Sequence, residues 1–336
     1  MKKISKILIL ILVVAGSVFL AGCASQNEDD TGEASDVSTL NIGYQPSTHQ
    51  IAYMTAKENG WWEEDLAAYG VENVREYEFP TGAPEMQSML AGDLDVAYVG
   101  AAPFLSALNN GLDAKIVAGV NSQGSDLVLH PEHSYESPED LKGLTIATFP
   151  PGTIQDTILR DWLKENGVDP DNDVDIKAMG SGDATSAISA GRIDAAFLPH
   201  PAPTLIDQEG NGRSVVFSGE MLPDHACCVL VVSGDLIRNH PDLVTEIVKT
   251  HIKGTEYSNE NQDEVAQIYA DQQGWDVDVV RASLENWDGH LIADPAIVAE
   301  STVDYAQVQY ELGYINEEFT QEDIFDMRFY EQAETE

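Results

Sequence analysis

The sequence predicts an α/β protein built as two similar lobes, each an open α/β sheet, joined by two crossing strands. Three observations predict it. One motif occurs twice: Leu90 to Pro103 reads LAGDLDVAYVGAAP, and Ser189 to Pro201 reads SAGRIDAAFLPHP. Upstream of each copy, LNIGYQPSTHQIAYMTAKENG (40–60) parallels LTIATFPPGTIQDTILRDWLKENG (144–167), and both stretches end Lys-Glu-Asn-Gly. Around these markers short β-rich runs alternate with amphipathic helical patterns, the signature of parallel βαβ units.

Each copy reads strand, polar loop, helix, repeated. The first lobe's strands are expected at 40–44, 74–79 and 96–99, and the second lobe's at 145–148, 174–177 and 195–198. Gly60 and Gly167 close the first helix of each copy, where glycine suits the chain's exit. Two apolar runs, SDLVLH (125–130) and HACCVLVVS (225–233), flank the second copy and read as the crossings. The first lobe is then 39–125 plus 226–336, and the second 126–225. The last third is helical: 235–258, 263–273 and 295–313 repeat apolar residues at spacings of three and four. These helices are expected to complete the first lobe.

The N-terminus has a different character. Lys2, Lys3 and Lys6 precede an apolar run from Ile7 to Leu20, which ends in Leu20-Ala21-Gly22-Cys23. The run is short for a bilayer-spanning helix but suits a signal-peptide core. Residues 1–22 are therefore read as a lipoprotein signal peptide, and Cys23 as the lipidated first residue of the mature chain. From 23 to 38 the composition is polar and acidic, too poor in apolar surface to offset its ordering entropy, and reads as a flexible tether. This places the protein on the outer face of the cytoplasmic membrane, lipid-anchored.

The chain carries 17 basic and 58 acidic residues, a net charge of −41. The acids are spread along its length. Such a charge excludes nucleic acid and anionic membrane surfaces as partners. It suggests a high-salt habitat, where self-repulsion is screened over a few Å.

In open α/β sheets ligands bind beyond the carboxyl ends of the strands. That rule selects six loops: 45–49, 80–82, 100–102, 150–155, 180–182 and 199–201. Most open a helix, so their backbone N–H groups and the helix dipole favour an anion. Ser and Thr at such places also serve as ordinary helix caps. No lysine or arginine lies on these loops. Only His49, His200 and His225 could add positive charge, so a small anion held by backbone dipoles, or a polar neutral molecule, fits better than a phosphate ester.

Enzyme signatures are missing: there is no GxSxG, HExxH, Walker loop or CxxC. The acidic run 169–175 lacks the glycine and final glutamate of a calcium loop. No metal site and no cofactor are expected. Cys227 and Cys228 lie in a buried-strand pattern, where neighbours point to opposite faces, and read as two small hydrophobes rather than a redox pair.

With these features the chain resembles the nitrate/sulfonate/bicarbonate/taurine family of ABC-importer solute-binding proteins. The carriers are GYQPSTHQIAYMTAKENGWW (43–62), GDLDVAYVGAAP (92–103), LKGLTIATFPPGTIQDTIL (141–159), AGRIDAAFLPHPAP (190–203) and HACCVLVVS. The resemblance implies a type II periplasmic-binding-protein-like fold closing on a small ligand. It also implies partners in an ABC permease and its ATPase, a monomer, and no enzyme activity. It places ligand contacts at Gln45, Thr48, His49, Thr81, Gly82, Ala101, Ala102, Thr153, Gln155 and His200. Many relatives have an acidic residue where this chain has His200, which leaves the ligand open. Binders and synthases of thiamine-precursor pyrimidines are similar as well. A pyrimidine would need aromatic stacking, with Tyr44, Trp61 or Trp62 as candidates, although core packing suits each of these.

Overall fold

A computed structural model describes residues 37–335. The leader 1–22, Cys23 and most of the expected tether lie outside the described residues. No described helix is long and apolar enough to cross a membrane.

Eleven strands form two sheets among the described residues. They are β1 (Thr39–Tyr44), β2 (Asn73–Glu78), β3 (Val96–Gly100), β4 (Ala114–Ser122), β5 (Ser125–Leu129), β6 (Thr145–Thr148), β7 (Asp175–Ala178), β8 (Ala195–Pro199), β9 (Arg213–Phe217), β10 (Ala226–Ser233) and β11 (His290–Leu291). The first sheet runs β11-β4-β10-β3-β1-β2 and the second β7-β6-β8-β5-β9. In the first, β1 is parallel to β2 and β3, and β10 runs antiparallel between β3 and β4. The second repeats this: β6 is parallel to β7 and β8, and β5 runs antiparallel between β8 and β9. The six strands expected from the repeat are all present. Sequence reading passed over β4 and β9, which flank β10 and β5 in equivalent places, and the two-residue β11 at the edge of the first sheet.

The repeated aspartates explain themselves. Asp95 Oδ2 accepts the Asn41 backbone N–H at 2.8 Å, and Asp194 Oδ2 accepts that of Thr145 at 2.8 Å. In return the backbone N–H of Asp95 donates to Asn41 O and that of Asp194 to Thr145 O, both at 2.9 Å. Each acid thus pins the start of the third strand to the start of the first, where the βαβ unit must close.

The two apolar runs read as crossings take equivalent places, β5 in the second sheet and β10 in the first. The chain passes between sheets just before each, at Gln123-Gly124 and along 218–225. Gln123 and Gly124 both have positive φ, 56° and 92°. A Cβ on Gly124 would lie 2.7 Å from the Trp287 ring and 2.9 Å from His49 Nε2, so only glycine fits there. Asp288 fastens both crossings: Oδ1 accepts the N–H of Gly124 at 2.8 Å and Oδ2 that of Gly219 at 2.6 Å.

The C-terminal helices include Pro241–Glu260, Gln262–Gln273 and Ala296–Glu311. Pro241 breaks the long run expected at 235–258 into two helices, because proline is tolerated only in a helix's first turn. The helix Ala296–Glu311 reaches both halves: Gln309 Nε2 donates to Ala102 O at 3.1 Å and to Gly152 O at 3.3 Å. Just beyond it, the Tyr314 hydroxyl donates to the buried Asp156 at 2.6 Å.

Candidate ligand-binding cleft

A cleft of about 440 Å³ opens between the carboxyl ends of the two sheets. Its walls come from the loops that follow β1, β2, β3, β6, β7 and β8, from β10, and from the helix Gln262–Gln273 with its exit. Helix starts converge on it. Gly82 opens the helix Gly82–Leu90, Gly100 precedes Ala101–Asn109, Thr153 precedes Ile154–Glu165, and Gly180 precedes Ser181–Ser189. Thr81, Gly100 and Gly180 make no side-chain cap bond, which leaves those first-turn N–H groups to other acceptors. Among the described residues lining the cleft there is no lysine or arginine, and one carboxylate, Asp183. Its attraction for an anion therefore rests on aligned backbone dipoles.

Of the residues singled out from sequence, Gln45, His49, Gly82, Thr153, Gln155 and His200 line this cleft. Thr48, Thr81, Ala101 and Ala102 do not; all four are buried beside it. Thr153 caps its helix, accepting the Asp156 N–H at 3.4 Å, and its hydroxyl donates to Pro150 O at 2.7 Å. Gln155 Nε2 donates to Ser125 Oγ at 3.1 Å. Gln45 Nε2 donates to Glu85 Oε2 at 2.7 Å. Burial pushes the Glu85 carboxyl well above the usual carboxylate range, which favours its neutral form behind the wall.

The histidines differ. His200 directly follows β8, its peptide bond to Pro201 is cis, and its ring is buried. Nδ1 is 2.9 Å from Ser283 Oγ, and Nε2 is 3.1 Å from Asp126 Oδ1. The latter pair lies within contact distance but off the hydrogen-bond line. His49 Nε2 faces Gly124 O at 2.7 Å, which sets its proton there; in the neutral ring Nδ1 then carries the lone pair. His225, expected as a third source of charge, is not in the wall. It is fully buried, its Nδ1 donates to Leu222 O at 2.7 Å, and burial lowers its pKa to about 4, so it is neutral.

The cysteines and the aromatic residues also have defined places. Cys227 and Cys228 are free thiols and both line the cleft. Pairing of β10 with β4 shifts register between Ala226 and Cys228 and again between Cys228 and Val229, which breaks the alternation expected of a regular strand. As core packing requires, Tyr44 and Trp62 lie in a buried cluster with Tyr53 and Tyr98, while Trp61 stacks edge-on against Tyr257. The aromatic wall of the cleft is Phe149, Tyr269 and Trp275. Tyr269 and Trp275 come from the helix Gln262–Gln273 and its exit, a stretch with no local motif to mark it.

Comparisons with known proteins fit this architecture. The model of the NMT1-like family matches residues 33–270. Over 329 residues the chain is 27% identical to a Bacillus subtilis protein named for binding aliphatic sulfonates, covering 96% of each chain. It is 23% identical over 319 residues to the nitrate/nitrite binding protein NrtA of Nostoc, covering 82% of this chain and 71% of that one. Among solved structures, the alkanesulfonate-binding protein SsuA from Xanthomonas axonopodis superposes with a TM-score of 0.76 at 19% identity, covering 87% of this chain and 99% of that one. The periplasmic nitrate-binding protein NrtA from Synechocystis gives 0.75 at 15% identity, covering 89% and 88%. These structures share the two-sheet fold.

Proposed function

The chain belongs to the NMT1-like family, and from that premise we propose that it is the extracytoplasmic solute-binding component of an ABC importer. It captures a small oxyanion (a sulfonate, taurine, nitrate or bicarbonate) between its two lobes and hands it to a permease driven by an ATPase. The observation that carries this reading is the ring of helix starts around a cleft lined by no lysine or arginine. Relatives named for sulfonates, nitrate and bicarbonate support the ligand class. The pyrimidine alternative is not favoured by these names, and its stacking candidates Tyr44, Trp61 and Trp62 do not line the cleft.

The lobes, 39–125 with 226–336 and 126–225, close about the crossings at Gln123-Gly124 and 218–225. Gln45, His49 and Gly82 approach the ligand from the first lobe, and Thr153, Gln155 and His200 from the second. The protein binds and releases without chemistry, as a monomer. Cys23 carries the lipid that holds it near the permease, and the acidic surface reflects a saline habitat.

A thermal-shift panel of taurine, alkanesulfonates, nitrate, bicarbonate and pyrimidines in molar salt tests the reading. A ligand at 100 times its Kd adds about 2.7 kcal/mol of stability. Stabilisation by an oxyanion is expected; stabilisation by pyrimidines alone overturns the choice.

A further inference from the structure

The floor of the cleft holds two thiols, beside His49, that anion capture does not use. His49 Nδ1 stands 3.1 Å from Cys227 Sγ, and Cys227 Sγ stands 4.0 Å from Cys228 Sγ. The three donor atoms all lie within 4.8 Å of one another, and all three residues are buried. Two neighbouring strand residues can share a face here because the register of β10 against β4 shifts on both sides of Cys228. The geometry points to a site for a thiophilic metal ion, Zn²⁺, held by His49, Cys227 and Cys228. This goes beyond the oxyanion reading and does not depend on it.

Four features fit the ion. A tetrahedral zinc with Zn–S of about 2.3 Å and Zn–N of about 2.0 Å sets its donor atoms roughly 3.5–3.8 Å apart. The observed 3.1 and 4.0 Å bracket that spacing. The ring of His49 is already set for coordination: Nε2 is committed to Gly124 O at 2.7 Å, so Nδ1 is the unprotonated nitrogen facing the sulfurs. Gln50 Nε2 reaches Cys228 Sγ at 3.6 Å and suits a thiolate there. Finally, three protein ligands leave a fourth position, and all three residues border the cleft. That is the arrangement of a zinc site that accepts an exogenous ligand. Two thiolates and a neutral imidazole balance the charge of Zn²⁺, and binding releases the thiol protons.

Stoichiometry alone is a poor readout, because a chain of charge −41 gathers divalent cations at its surface. The test is therefore spectroscopic. Cobalt(II) is added to the full chain carrying Cys23→Ser, which leaves Cys227 and Cys228 as the only thiols, under a non-chelating reductant and in molar NaCl. The expected result is one cobalt with thiolate-to-cobalt charge-transfer absorption and tetrahedral d–d bands, both displaced by Zn²⁺. Cys227→Ser and Cys228→Ser should each weaken the charge-transfer band, and His49→Ala should lower affinity at least about tenfold. Thermal unfolding checks that each variant folds. Should a variant not fold, alkylation of the unaltered chain decides: Zn²⁺ should protect both thiols. Absence of the charge-transfer band, a band unchanged in both serine variants, or thiols alkylated equally fast with and without Zn²⁺ overturns the proposal.

Discussion

His200 Nε2 lies 3.1 Å from Asp126 Oδ1, where the end of β8 meets the start of β5 beside the cleft. Asp126 Oδ2 is held in turn by the Ser214 hydroxyl at 2.5 Å. The histidine thus borders the cleft while packing against a buried acid. His200→Ala should weaken ligand binding at least tenfold, and it should also cost about 1–3 kcal/mol by leaving Asp126 facing a void. Titration calorimetry and chemical unfolding measure the two effects; a loss of stability with unchanged affinity would remove His200 from the site.

Thr153 caps a helix at the cleft wall through its hydroxyl oxygen. Thr153→Ala should cost about 1 kcal/mol of stability and weaken binding, whereas Thr153→Ser should restore both. Equal affinities across the three proteins would assign Thr153 to capping alone.

Asp288 joins the two crossings through the N–H groups of Gly124 and Gly219. Asp288→Ala removes two charge-assisted bonds and should cost about 3 kcal/mol. Closure should then become less cooperative, visible as a broader thermal transition in the ligand-free chain. An unaltered transition would mean that the crossings are set without Asp288.

His225 and His251 are both buried, and burial lowers each pKa to about 4. The unfolded chain binds protons at these sites more readily than the folded one. Stability should therefore be lost as pH falls from about 6.5 towards 4, by up to about 3 kcal/mol for each histidine. Glu85 acts in the opposite direction. Its raised pKa favours the folded state at low pH, and that contribution disappears as pH rises above the unfolded value. Glu85→Gln should gain on the unaltered protein as pH climbs from 5 to 9. Urea unfolding across pH in molar salt reads all three; parallel profiles for the variant and the unaltered chain would refute the assignment of Glu85.

The net charge of −41 carries its own expectation. At 1 M salt the screening length is about 3 Å, against about 10 Å at 0.1 M, so self-repulsion should fall and the midpoint of unfolding should rise. Identical midpoints in dilute buffer and in 3 M KCl would contradict the saline reading.

The repeat made the βαβ frame legible, because Asp95 and Asp194, with the loops after each strand, recur in the same order. β4 was passed over because AKIVAGVNS lacks alternation, being buried on both faces, and β9 because it is five residues of an outer strand. Cys227 and Cys228 are the buried free thiols that their apolar run suggests, but their shared face was not legible, because register shifts leave no trace in residue pattern. His225 was given a charge that only its burial takes away. Tyr269 and Trp275 reach the cleft through packing of the helix Gln262–Gln273, a tertiary fact that no local spacing encodes.

The most direct measurement is a crystal structure of the chain with an alkanesulfonate bound. The account predicts the sulfonate oxygens in hydrogen-bond distance of backbone N–H groups at the helix starts after Thr153 and Gly180 and at Gly82, with no lysine or arginine in contact. A sulfonate held by a cationic side chain, or bound outside this cleft, would contradict it.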